Sequence, residues 1–114
     1  MPPTSLPNKA NAYVPPRKLA DYLLSETHAV GKSKARFFRS LGFNEAMVSE
    51  LEQGLLEIAH TGHVKEQLES PHGVKYVIDG ALKTPRGTLV QVRTIWIIEF
   101  GYQAPRFVTA YPIK

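Results

Sequence analysis

One feature restricts this chain more than any other: its hydrophobic period changes at Gly62. Before that residue apolar side chains recur every three or four positions, and after it they alternate, which predicts helices followed by strands. Met47, Val48, Leu51, Leu55, Ile58 and Ala59 form one continuous helical face, with Asn44 placed to cap its start and Gly62 to close it. Gly54 inside that helix costs about 1 kcal/mol relative to alanine. Residues 33–41 predict a helix with Ser33 as cap, Phe37, Phe38 and Leu41 as buried stripe, and Gly42 in the left-handed position past the end. Pro15 and Pro16 suit a still earlier helix start, whose stripe is Leu19, Ala20, Leu23 and Leu24. Residues 1–12, proline-rich and polar, are expected as a flexible arm ahead of a single domain over residues 13–114.

Beyond Gly62, residues 63–69 predict a short edge strand, with a turn at Ser70-Pro71-His72-Gly73. Val74, Tyr76, Ile78 and Leu82 then alternate with Lys75 and Asp79, and Thr84-Pro85-Arg86-Gly87 supplies the next turn. In residues 89–100, Val90, Val92, Thr94, Trp96 and Ile98 share one face, while Gln91, Arg93, Ile95, Ile97 and Glu99 share the other. A last strand covers residues 106–111. The expected fold is α+β: about three N-terminal helices packed on one face of a C-terminal antiparallel sheet of about four strands.

Composition narrows the chemistry. With 114 residues, 43% of them hydrophobic, the chain can bury one core without staples. Cysteine is absent, which removes disulfides, zinc knuckles, iron–sulfur ligation and thiol catalysis. His60 and His63 straddle the helix end at Gly62 and gain no further ligand, so no metal and no cofactor are expected. Gly31-Lys32-Ser33 lacks the upstream glycine of a phosphate-binding loop, and no Gly-x-Ser-x-Gly turn marks a serine nucleophile. Apolar runs fall far short of the ~20 residues that span a bilayer. The start, Met1-Pro2-Pro3-Thr4, has no charged-then-apolar leader. A soluble cytoplasmic protein without a membrane partner is expected.

Net charge is +4 but unevenly spread. Residues 1–43 hold seven Lys/Arg against two acidic groups, residues 44–69 one against six, and residues 70–114 six against two. The acidic middle segment either folds against its neighbours or marks an acidic surface away from a basic one. A basic face would suit a polyanion such as RNA.

Several short motifs occur in order: Leu6-Pro7-Asn8, Lys18-Leu19, Tyr22-Leu23-Leu24, His28, Gly31, Lys34-Ala35-Arg36-Phe37-Phe38 and Leu41-Gly42-Phe43. They continue with Gly73, Tyr76-Val77, Asp79-Gly80, Pro85, Gly87, Val92-Arg93-Thr94, Trp96-Ile97 and Val108-Thr109-Ala110-Tyr111-Pro112. Together these resemble a family of small bacterial domains of unknown function, found alone and within larger toxin-like proteins, over nearly the whole chain from Leu6. The family's order of helices before an antiparallel sheet is similar to that of the barnase–EndoU–colicin–RelE group of RNase toxins. Its Thr-Ala-Tyr-Pro strand is similar to the last strand of some contact-dependent toxins. The resemblance implies a toxin-like context and transfers no catalytic position, because active-site residues differ widely across that group.

Metal-independent RNA cleavage needs a base for the ribose 2′-hydroxyl, an acid for the leaving 5′-oxygen and fixed positive charge on the phosphate. His28, Lys34 and Arg93 are the candidate catalytic residues, and Arg36, Thr109 and Tyr111 the candidate substrate-binding residues. His28 titrates near neutrality in a polar loop before a basic helix; its plainer reading is a helix-capping or solvated histidine. Arg93 in mid-strand can hold phosphate by two contacts, or can pair across strands with Asp79 or Glu99. Lys34 and Arg36 complete a phosphate clamp at a helix start, or form a solvated basic face. Thr109 offers a hydroxyl to phosphate or packs as a sheet pair, and Tyr111 stacks a base or packs at the chain end. The expected function is therefore a small toxin-like domain acting as a metal-independent endoribonuclease on RNA. The alternative is a non-catalytic interaction module that binds a cognate antitoxin or immunity protein.

Overall fold

Alternation beyond Gly62 becomes an antiparallel meander: β1 (Val64–Ser70), β2 (Gly73–Lys83), β3 (Leu89–Glu99) and β4 (Arg106–Pro112), paired in that order in one four-stranded sheet. The computed structural model describes residues 4–15, 17–20 and 32–113. Strand pairing puts Tyr76, Ile78 and Leu82 of β2, Val92, Thr94 and Trp96 of β3, and Phe107 and Ala110 of β4 on one buried face. The apolar stripes of the helices cover that face. In α2 (Val48–Thr61) the buried residues are Leu51, Leu55, Ile58 and Ala59. In α1 (Lys32–Ser40) they include Ala35 and Phe38, and the Phe38 ring meets Phe37 and Phe43 edge to face.

Two α-helices, rather than about three, are present among the described residues. The expected first helix runs into residues 21–31, which lie outside them; before it stops, Leu19 is already buried in the core. Asn44 acts one turn earlier than expected. Its side chain accepts a hydrogen bond from the Ala46 amide (2.8 Å) and caps a 3-10 turn, Glu45–Met47, that leads into α2. Arg39 of α1 forms an ion pair with Glu45 in that turn. Gly42 takes the left-handed backbone expected of it, at φ 103°. Gly54 has a reason that helix propensity hides: a Cβ there would lie 2.6 Å from Leu82 Cδ1, so its absence lets α2 sit close on β2.

The described part of the N-terminal segment, from Thr4 on, makes contacts with the rest of the domain. Leu6 is 2% exposed in the core, and the Thr4 carbonyl accepts from the Val64 amide at 3.1 Å. Tyr13 forms a parallel bridge with Arg106, its amide donating to the Pro105 carbonyl and its carbonyl accepting from the Phe107 amide. One apolar side chain and a short run of backbone pairing tie this segment to the domain, against its polar composition.

At the centre of the inner face, Trp96 and Thr94 are both fully buried. The indole Nε1 donates to Thr94 Oγ1 (2.9 Å), and that hydroxyl donates to the Ile78 carbonyl (2.7 Å). Trp96 also packs edge to face on Phe107, with ring centroids 5.3 Å apart. Thr94→Val keeps the shape but strands the buried indole N–H, and should cost about 1–3 kcal/mol in urea denaturation. Thr94→Ser, which keeps the hydroxyl, should lose less. Equal losses in the two variants would show that the hydrogen-bond relay contributes nothing.

Candidate functional site

Once Trp96 and Thr94 face inward, strand alternation sends Arg93, Ile95 and Ile97 to the opposite, outer face. The register sets Asp79 of β2 against Arg93, and Arg93 against Tyr111 of β4. The Arg93–Asp79 pair is bidentate: Nε donates to Oδ1 at 2.8 Å and Nη2 to Oδ2 at 2.9 Å. Lys65 of β1 approaches the same carboxylate, its Nζ 3.3 Å from Oδ2. Hydrogen bonds from Arg93 are the main reason the Asp79 carboxyl titrates below its ordinary value, against a smaller opposing effect of burial. Arg93 is in turn held more firmly protonated, first by those bonds, with Tyr111 adding a smaller share. The Nε–Nη2 edge of the guanidinium is thus occupied and fixed in direction.

The next outer-face row is Val77, Ile95 and Thr109. Thr109 Oγ1 is buried and has no hydrogen-bond partner. A buried hydroxyl left unpaired is costly in a packed domain, and such a group beside a cation is a pointer to function. Two β-bulges flank the same region. One lies between Val64 and Glu66 on β1, making Lys65 the extra residue; the other interrupts the β3–β4 ladder at Ile95/Trp96, next to Thr109. Bulges re-aim side chains, and here they adjoin Lys65 and Thr109.

Of the residues expected at a site, Arg93, Thr109 and Tyr111 come together on this face. Arg36 is exposed on α1, which packs against β4. Lys34 lies in the first turn of α1 with its side chain outside the described set, and His28 lies outside the described residues altogether. Sequence reading left Asp79 and Lys65 out of the site. Asp79 was visible as one of two partners for Arg93, whereas Glu99 is taken by Arg106, whose Nε donates to Glu99 Oε1 at 2.9 Å. Lys65 follows the buried Val64, so alternation puts it on the outer face, and its pairing with Asp79 depends on strand register.

A separate cleft of ≈ 650 Å³ lies between α2 and the β2–β3 turn, lined by Phe43, Met47, Glu50, Glu57, Lys83 and Pro85 among others. Its two carboxylates make it a poor seat for phosphate. Among the described residues no group of three His, Asp or Glu side chains could hold a metal ion. No helix among them is long and apolar enough to cross a membrane.

With its helices on one side of a four-stranded antiparallel sheet, the domain shares its fold with a chain of a contact-dependent growth inhibition toxin–immunity protein complex from Klebsiella pneumoniae 342. The TM-score is 0.71 at 16% sequence identity, covering 93% of this chain and 97% of that one. The chain belongs to the family described as Domain of unknown function (DUF6883), whose model matches residues 5–114. Comparison with curated proteins gives no match.

The Asp79–Arg93 pair has a consequence for stability. The carboxyl titrates lower in the folded protein than its ordinary 3.8, so the pair's contribution is fully present above that value and is lost as pH falls through the folded one. Asp79→Asn should cost about 1 kcal/mol at pH 7, a modest figure because both side chains remain partly solvated. The gap between wild type and variant should narrow as denaturation is measured at successively lower pH below 3.8. A gap independent of pH would mean that packing, and not charge, accounts for the loss.

Proposed function

We propose that this domain is a toxin-like endoribonuclease that cleaves RNA without a metal ion, with its site on the outer sheet face. The observation that carries the reading is the Arg93 cluster: a guanidinium fixed by Asp79 through one edge, opposite Tyr111 and one row from the unpaired Thr109 hydroxyl. A cation already held in direction stabilises a pentavalent phosphate without reorganising. In this reading the ribose 2′-oxygen attacks the phosphorus, the bond to the 5′-oxygen breaks, and the products are a 2′,3′-cyclic phosphate and a free 5′-hydroxyl. Arg93 binds a non-bridging oxygen. Asp79 titrates too low to act as an effective base and serves to position Arg93. Proton transfer to and from the reacting oxygens is assigned to His28, and Tyr111 stacks a base.

The fold likeness favours a second reading, because the Klebsiella chain comes from a toxin–immunity protein complex. On that reading the domain is a non-catalytic module that binds a cognate immunity or antitoxin protein. The two separate in one experiment: purified protein is incubated with several RNAs in EDTA, and the protein is expressed alone in a bacterial host. The nuclease reading expects RNA breakdown and arrested growth, with Arg93→Ala and His28→Ala each slowing cleavage by about 100-fold or more while the circular dichroism spectrum is unchanged. RNA left intact by micromolar protein, together with normal growth and a stable complex with a neighbouring gene product, would replace it with the second reading.

A further inference from the structure

The end of the sheet away from Asp79 carries what the catalytic reading does not use. Five large hydrophobic residues are notably exposed among the described ones, and three are aromatic: Tyr13 at 44%, Phe100 at 66% and Tyr102 at 72%. All three lie at this end. Phe100 and Tyr102 sit in the β3–β4 turn, and Tyr13 is bridged to Arg106 at the start of β4. The outer-face row beside them runs through Lys75, Ile97 and Arg106. Exposed aromatics clustered beside cations are uncommon on a surface that only faces water.

The turn is also well anchored. The Phe100 amide donates to the His72 carbonyl and the Tyr102 amide to the Glu99 carbonyl, both at 3.0 Å, while Asn8 Nδ2 donates to the Gln103 carbonyl at 3.0 Å. Rings carried on a tethered backbone lose little further freedom when a ligand stacks on them. Ile97 and Arg93 are four residues apart on β3, about 13 Å at the rise of a strand. Two rows that each carry a guanidinium, Arg93 paired with Asp79 and Arg106 with Glu99, lie at that spacing with aromatics beyond, and suit a short run of flexible nucleotide backbone with unstacked bases.

We infer that Tyr13, Phe100 and Tyr102 form a base-stacking platform for single-stranded RNA, with Lys75 and Arg106 meeting the backbone that runs along β3 to Arg93. This rests on the RNA reading above and adds to it a strandedness and a direction of approach. A duplex keeps its bases stacked on one another, so the platform selects single strands.

The test uses a fluorescent 2′-O-methyl RNA dodecamer, which lacks the attacking hydroxyl and cannot be cleaved, and follows its anisotropy with the full chain in EDTA. Phe100→Ala and Tyr102→Ala should each raise Kd by roughly tenfold, whereas Phe100→Trp and Tyr102→Trp should bind like wild type. The same dodecamer in duplex form should bind at least about tenfold more weakly than the single strand. The inference is overturned if the double alanine variant stays within about twofold of wild type, if duplex and single strand bind alike, or if wild type binds neither. It is equally overturned if the alanine changes abolish a complex with a protein partner and leave RNA binding unchanged. Wild type that binds the dodecamer through these rings but cleaves no natural RNA would support the platform and remove the nuclease reading.

Discussion

Trp96 can be buried only where its indole N–H finds an acceptor, and the one it finds, Thr94 Oγ1, is two residues away on the same face of β3. The Thr94 hydroxyl in turn donates a hydrogen bond to the carbonyl of Ile78, its register partner on β2. A slip of one residue between these strands would break that relay and drive Trp96 toward solvent, so register is strongly determined here. The outer face inherits this determination. Asp79 stands against Arg93, and Arg93 against Tyr111, because Ile78 stands against Thr94 and Thr94 against Ala110 one step along. The candidate site is the reverse side of the best-packed part of the core.

That placement explains how a partly solvated ion pair can be well ordered. A surface Arg–Asp pair usually spends much of its Coulomb gain on holding two long side chains in one geometry. Here both Cα positions are fixed by a continuous ladder, and the short aspartate side chain has little freedom to lose. The pair therefore acts more as an orienting device than as a source of stability. Lys65 adds a second cation to the carboxylate, at the same Oδ2 that Arg93 Nη2 reaches.

Much of the fold could be read from the chain. The change of period at Gly62 located four strands within a residue or so, and the alternation in β3 correctly put Trp96 and Thr94 inside and Arg93 outside. Legibility failed where the cause was not local. Gly54 reads as a helix defect because its neighbour Leu82 is distant in sequence. Leu6 reads as part of a polar arm because a single apolar residue gives no periodicity, yet the core accepts it. The choice of Asp79 over Glu99 for Arg93 depends on strand register, since both carboxylates share the required parity. Thr109 carries a buried, unpaired hydroxyl next to a bulge, and neither feature shows in the alternation of the sequence.

The uneven charge of the sequence acquires a different meaning once folded. Glu50 and Glu57 of the acidic middle segment remain exposed beside the α2 cleft, so that segment is mainly a surface of its own. Yet the outer face is not simply its basic opposite, because Asp79 and Glu99 neutralise much of what Arg93 and Arg106 supply. Long-range attraction of a polyanion is accordingly weak, and charges beyond a Debye length of ~8 Å contribute little at physiological salt. What remains is short-range: guanidinium groups with fixed direction and exposed rings. On the RNA reading, such a surface would discriminate by geometry and stacking more than by charge, and a ligand would have to present an anionic oxygen and a planar face at compatible spacing to gain from both.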